Sequence, residues 1–143
     1  MTPDAAPEPD VTIVSFGYGH GPAPDAHLTV DVRDHFRDPH FDPALRTLTT
    51  EDARVIDAVR RTPGVAELIA AIVDVVRAFR RGPAPGPLRV AIGCVGGRHR
   101  SAAIAIEVAL RLGEDGVAVS LRHRDMARPV IDRPTPKRPS TGR

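Results

Sequence analysis

Leu88-Arg89-Val90-Ala91-Ile92-Gly93 runs straight into Cys94-Val95-Gly96-Gly97-Arg98-His99-Arg100-Ser101, and then into a segment with Ile104, Ala105, Val108 and Leu112 at helical spacing up to Gly113. A β-branched strand, a glycine turn and an amphipathic helix in immediate succession set the period change that defines an α/β unit. Upstream, Val11-Thr12-Ile13-Val14-Ser15-Phe16 and Leu28-Thr29-Val30-Asp31-Val32-Arg33 read as two strands. Thr50-Glu51-Asp52 opens a short helix ending near Arg61, with a hydroxyl cap followed by acids. A longer helix follows from an N-cap at Thr62 and Pro63 at the first helical position, with Val65, Leu68, Ile69, Ile72, Val73, Val76 and Phe79 on one stripe. Gly116 introduces a last strand, Val117-Ala118-Val119-Ser120-Leu121-Arg122. The order predicts an α/β sandwich of two or three layers around an at least partly parallel sheet of about four strands.

The 143 residues allow one domain. Residues 1–10, rich in proline, alanine and acids, offer nothing to bury, so the folded unit is expected over residues 11–127. The overall charge of +2 hides an asymmetry, because residues 1–121 carry 13 basic and 16 acidic side chains whereas residues 122–143 carry 7 basic and 2 acidic. Prolines 129, 134, 136 and 139 prevent a continuous helix in that basic tail, and residues 128–143 are expected to be flexible. Solvated tail and RNA-contacting tail both stand as readings. A single cysteine excludes an internal disulfide and a multi-cysteine zinc site, and the opening residues lack an export pattern, so a cytoplasmic address is expected. No apolar run reaches the roughly 20 residues of a membrane span. Five aromatic side chains, none of them tryptophan, make base-stacking platforms scarce.

The turn carries the chemistry. At the carboxyl end of a parallel strand, Gly96 and Gly97 let successive amides face one point, and the following helix N-terminus favours an anion. Arg98, His99 and Arg100 oppose the helix dipole unless an anion is bound, which points to a phosphate or similar oxyanion. The glycines could instead serve close packing, but that leaves the basic triplet unexplained. Cys94 reads equally as a buried apolar residue or as a thiol activated by the helix and arginines. Ser101 caps the helix or touches the anion. From Asp34 to Thr49 a long broken segment carries His35, Arg37 and His40, and a loop of this length is usually functional. Its histidines show no helical pairing with His99, so no metal and no cofactor is expected. Protonation of His40 or His99 beside a phosphate is expected instead.

Cys94 and Arg100, with five residues between them and Ser101 following, resemble the loop of cysteine-dependent phosphatases, in which a thiolate attacks phosphorus and the arginine holds the transferring oxygens. Those enzymes usually have histidine where this chain has Gly93, and they need an acid. Asp31, Asp34, Asp38 and Asp125 are the candidates.

A wider resemblance rests on Ser15-Phe16-Gly17-Tyr18-Gly19, Asp31-Val32-Arg33, Asp38-Pro39-His40, Leu48-Thr49, Ala91 to Ser101 and Arg122-His123-Arg124-Asp125. In that order and spacing the chain resembles the C-terminal domain of the RapZ RNase adaptor family, from about Val11 to Arg128. The resemblance implies a regulatory binding module for small regulatory RNA and glucosamine-6-phosphate, acting with an endoribonuclease of the RNase E type. It implies a ligand pocket lined by Arg33, His40, Cys94, Gly96, Gly97, His99 and Arg100, with Tyr18 and Thr49 at its edge, to which the turn adds Arg98 and Ser101. It implies RNA-backbone contacts from Arg122, His123, Arg124, Arg128, Lys137 and Arg138. The glycine turns lack the Gly-Lys-Ser/Thr ending of a nucleotide-binding P-loop, so no ATP or GTP hydrolysis carries over. The long apolar helix is also available to a second subunit, and a homo-oligomer, in its simplest form a dimer, is expected.

Overall fold

The computed structural model describes residues 8–38 and 41–131. His40, Lys137 and Arg138 therefore lie outside the described residues. The elements follow in the order β1 (Val11–Gly17), β2 (Leu28–Asp31), α1 (Ala53–Arg60), α2 (Val65–Arg80), β3 (Leu88–Cys94), α3 (Arg100–Glu114) and β4 (Val119–His123). Short 3-10 turns at Tyr18–His20 and Pro43–Leu45 interrupt the two long connections.

All four strands are parallel, in the spatial order β2-β3-β1-β4. Side chains alternate along a strand, so one face of the sheet presents Val11 and Ile13 of β1 and Leu88, Val90, Ile92 and Cys94 of β3. These join a single core with Val59 of α1, Val65, Ile69, Ile72, Val73 and Val76 of α2, and Ala103, Ile104, Ala105, Val108 and Leu112 of α3. The three helices thus cover the same face, and the sandwich has two layers. Both crossovers that carry helices, β2 to β3 and β3 to β4, move across the sheet in the same direction. The single hand of such connections puts their helices on one side. On the opposite face Phe16 is buried, packed edge-on against Tyr18 with ring centroids 4.7 Å apart.

Two helix starts differ from the sequence reading. Asp52, not Thr50, caps α1, its carboxylate accepting from the Arg54 N–H at 2.9 Å. Thr50 is buried and its hydroxyl contacts Met126 Sδ. Nor is Thr62 the N-cap of α2: its hydroxyl donates to the Ala58 carbonyl and closes α1. Gly64, at φ +86°, makes the entry to α2. A left-handed residue there suits glycine, and the Phe36 ring occupies the space a Cβ would approach. No helix among the described residues is long and apolar enough to cross a membrane.

Candidate functional site

The chain leaves β1 toward β2, passing the end of β3, and leaves β3 toward β4, passing the end of β1, so the two exits cross at the carboxyl end of the sheet. Ligand sites of parallel sheets lie where the connections of neighbouring strands run in opposite directions. Here that place is between the Gly17-Tyr18-Gly19 exit of β1 and the turn that joins β3 to α3.

Glycine makes the approach of these two segments feasible. A Cβ on Gly17 would lie 2.4 Å from the Gly96 carbonyl carbon, and one on Gly97 would lie 2.6 Å from the Gly17 nitrogen. Gly97 also sits at φ +74°, where an L side chain is strained. The segments are joined by the Gly19 N–H, which donates to the Val95 carbonyl at 2.9 Å. Gly93 is needed for a different reason: a Cβ there would overlap the rings of Phe16 and Tyr18. The aromatic pair fills the place of the histidine that precedes the cysteine in the phosphatases.

Within the turn, the Gly97 N–H points at Cys94 Sγ, 3.2 Å away, and Sγ is also 3.1 Å from Ser101 Oγ. Ser101 in turn donates to the Phe16 carbonyl. Cys94, Gly97 and Ser101 are buried, and they hold the turn from beneath. Among the described residues, the amides of Val95, Gly96, Arg98 and His99 have no hydrogen-bond partner. An unpaired amide is an open donor for an oxyanion.

The basic side chains brace the turn to its surroundings. Arg98 donates to the carbonyls of Thr47 and Arg128 at 2.8 and 2.6 Å, while its Nε is buried without a partner. Arg100 donates to the carbonyls of Val32 and Arg33. His99 Nε2 lies 2.7 Å from the Leu48 carbonyl, which can only accept, so the proton is on Nε2. Burial pushes the His99 imidazole below its ordinary pKa, and the charges of Arg98 and Arg100 push it further in the same direction. His123, whose Nδ1 is 2.6 Å from Ser15 Oγ, is lowered by burial too. With no anion present His99 is thus neutral at pH 7. The two histidines take up protons in the unfolded chain near pH 6.5 but not in the folded one, so their contribution is present above that value and is lost as pH falls. The urea midpoint is expected to drop between pH 7.5 and pH 5.5, and to drop less in a His99→Gln/His123→Gln variant. An equal drop in both proteins would contradict the assignment.

A cavity of about 180 Å³ stands over the turn, lined by Cys94, Val95, Gly96, Arg98, His99 and Arg100 together with Arg37, Arg46, Val130 and Ile131. The last four were not among the residues singled out as pocket-lining. Val130 and Ile131 follow a sharp reversal after β4 that no motif announces; Arg37 was named only as part of the long functional loop, and Arg46 of the same loop was not named at all. Arg33, Thr49, Tyr18, Gly97 and Ser101 do not line this cavity. Arg33 is stacked over the Tyr18 ring, 3.6 Å from its centroid, and grips Asp31 with two N–H groups. Thr49 Oγ1 accepts from the Glu51 N–H.

The residues after β4 divide in two. Arg122 is exposed, and Arg128, more than half exposed, pairs with Asp125. Arg124 is turned inward, donating to Asp125 and to the carbonyls of Gly17, Gly21 and Pro22. Asp125 is wholly buried and accepts the Gly17 N–H at 2.8 Å. Burial alone would raise its pKa, but the hydrogen bonds from Arg124 and Gly17 and the charges of Arg124 and Arg128 outweigh it and hold the carboxyl below its usual range. Among the described residues no three histidine, cysteine or acidic side chains are grouped as metal ligands.

Residues 9–127 match the family described as the RapZ C-terminal domain. A nucleotide-binding protein of Nocardioides sp. is 42% identical over 125 residues, covering 82% of this chain and 40% of the relative. Relatives of the same description in Thermobifida fusca and Salinispora arenicola are 40% and 39% identical, over 81% and 82% of this chain and 40% and 41% of their own lengths. The chain thus spans about two fifths of the length of these curated relatives.

Proposed function

Because the chain belongs to the RapZ C-terminal domain family, we propose that its turn from Gly93 to Ser101 is the ligand site of a regulatory binding module, taking the phosphate of an amino-sugar phosphate such as glucosamine-6-phosphate, or of RNA. The observation that carries this reading is the set of four unpaired amides at Val95, Gly96, Arg98 and His99 beneath an arginine-lined cavity. Open amides fixed in place and backed by guanidinium groups recognise phosphate oxygens without further rearrangement. Proton–nitrogen NMR titration with glucosamine-6-phosphate and with inorganic phosphate is the direct test. Shifts at Gly96, Arg98 and His99 are expected, and saturation of both ligands elsewhere on the molecule would overturn the reading.

RNA contact is assigned to the exposed guanidiniums of Arg122 and Arg128 and, outside the described residues, to Lys137 and Arg138. An endoribonuclease of the RNase E type is the proposed protein partner, the module a homo-oligomer, and its compartment the cytoplasm. RNA retention on filters should fall with salt, and each phosphate contact removed by Arg122→Ala or Lys137→Ala should lower the salt slope by about 0.7 to 0.9. Arg124→Ala does not belong in that series, since it disturbs the fold.

The contact of Cys94 Sγ with Ser101 Oγ and the Gly97 N–H also fits a thiolate nucleophile. Against a phosphatase stand two of its four candidate acids: the Arg33 guanidinium holds Asp31 charged, and Asp125 is held charged by its arginines. Neither has a proton to give a leaving group at neutral pH. No turnover of an aryl phosphate is expected. Turnover abolished by Cys94→Ser would establish the enzyme instead.

A further inference from the structure

The chain does not part from the site at the end of β4. It reverses at Asp125, and Arg128, Pro129, Val130 and Ile131 then lie against the turn as a strap. Arg98 Nη2 donates to the Arg128 carbonyl at 2.6 Å, and the Arg128 guanidinium pairs with buried Asp125 at 3.1 Å. Just upstream, the Thr50 hydroxyl reaches Met126 Sδ. Pro129 fixes one backbone dihedral of the strap and stiffens it.

A further contact depends on a missing side chain. Gly19 is exposed and its φ lies outside the left-handed region, so neither burial nor backbone conformation calls for glycine there. Ile131 does: a Cβ on Gly19 would overlap Ile131 Cδ1. The Val95 carbonyl oxygen, its next neighbour at 3.1 Å, would have to give only slightly. Gly19 is therefore the seat of the Ile131 side chain.

Seated in this way, Val130 and Ile131 join Val95 as the apolar lining of the cavity of about 180 Å³ over the turn. A cavity with open amides and an apolar wall suits a ligand with two chemical halves. Its terminal phosphate meets the amides, and a compact carbon body covers Val130 and Ile131 in place of water. A polynucleotide backbone is charged at every link, so the phosphates next to a bound one would lose water against apolar side chains and gain no donor there. A phosphodiester also needs an exit on both sides of phosphorus, whereas a monoester needs one.

We propose that the strap sets the specificity of the site, Val130 and Ile131 admitting a small phosphate monoester with a compact carbon skeleton and barring an RNA backbone from the turn. This rests on the turn being a phosphate site and narrows its ligand to the small-molecule class. Gly19 is a positioning residue that acts through Ile131. None of the three side-chain positions belongs to the hydrophobic core, so substitutions there leave the fold intact.

Calorimetric titration at one ionic strength tests this with inorganic phosphate, glucosamine-6-phosphate and a tetranucleotide with hydroxyl ends, in the parent protein, Ile131→Ala, Gly19→Ala and the double variant. In the parent the sugar phosphate is expected to bind about tenfold more tightly than inorganic phosphate, and the tetranucleotide not to displace it. Ile131→Ala should lose most of that advantage while holding inorganic phosphate within about threefold of the parent. Gly19→Ala should match it, because the new Cβ drives Ile131 off its seat, and the double variant should be no worse than Ile131→Ala alone. An undiminished advantage in Ile131→Ala, or losses in the two single variants that add, would overturn the strap's role. So would displacement of the sugar phosphate by the tetranucleotide in the parent, which would give the turn to nucleic acid. In all three cases inorganic phosphate still shifts the Gly96 and His99 amides in NMR spectra, and the turn reading stands. No shift there with either small ligand would remove the turn reading and the strap's role together.

Discussion

Gly97→Ala should cost about 3 kcal/mol of folding stability and abolish phosphate binding, while Gly96→Ala should cost less than about 1 kcal/mol. The two glycines are neighbours in one turn, yet their surroundings differ completely. A Cβ at Gly96 meets nothing within 4 Å, whereas one at Gly97 would press on the Gly17 nitrogen and the Phe16 carbonyl carbon at 2.6 and 2.8 Å. Those atoms are backbone of the central strand β1 and have nowhere to move. Gly97 also holds φ at +74°, a second penalty that adds to the first. Urea denaturation of the two variants measures the contrast, and equal losses would show that the turn is not locked against β1.

Asp125→Ala should destabilise the fold by about 3 to 5 kcal/mol, the range for removing one member of a buried charge pair. The carboxylate is wholly enclosed and ties together the end of β1, through the Gly17 N–H, and the arginines on either side of the reversal after β4. Without it, the inward-turned Arg124 guanidinium has carbonyls and the Phe16 ring for company but no counter-charge. Asp125→Asn keeps an acceptor for Gly17 and should lose less. The pH dependence follows from the depressed pKa of the folded carboxyl. An unfolded aspartate titrates near 3.9, so the stabilisation is complete above that value and disappears as pH falls through the lower folded pKa. The parent protein should therefore show a steep acid transition below about pH 4 that is shallower in Asp125→Asn.

The strands were legible because β1 and β3 are β-branched runs bounded by breakers, and a strand–turn–helix succession admits few arrangements. The choice of two layers was not, since it depends on the direction in which each crossover traverses the sheet, and no residue states that. The caps were misplaced for a local reason. Thr62 sits in good capping chemistry before Pro63, but its hydroxyl is already committed to the preceding helix, and the Phe36 ring makes Gly64 the entry residue. In the site, glycine and arginine spacing pointed to the turn that supplies the floor and the open amides. What stayed hidden came from chain reversals: Arg46, Val130 and Ile131 reach the same cavity from segments without periodicity, beside Arg37, which was legible only as part of a functional loop. The inward turn of Arg124 was equally invisible, because a basic residue in a basic stretch reads as solvated until a buried carboxylate is found beside it.

The strand order also has a bearing on synthesis. β1 pairs only with β3 and β4, and β2 only with β3, so no ladder can form between the first two strands to be made. Seventy residues separate the end of β1 from the start of β3. At about 5 to 20 residues per second, a ribosome takes several seconds to bridge that interval. Throughout it the apolar side chains of Val11, Ile13 and Phe16 wait without their partners, and the nascent chain depends on β3 to bring both earlier strands into register at once.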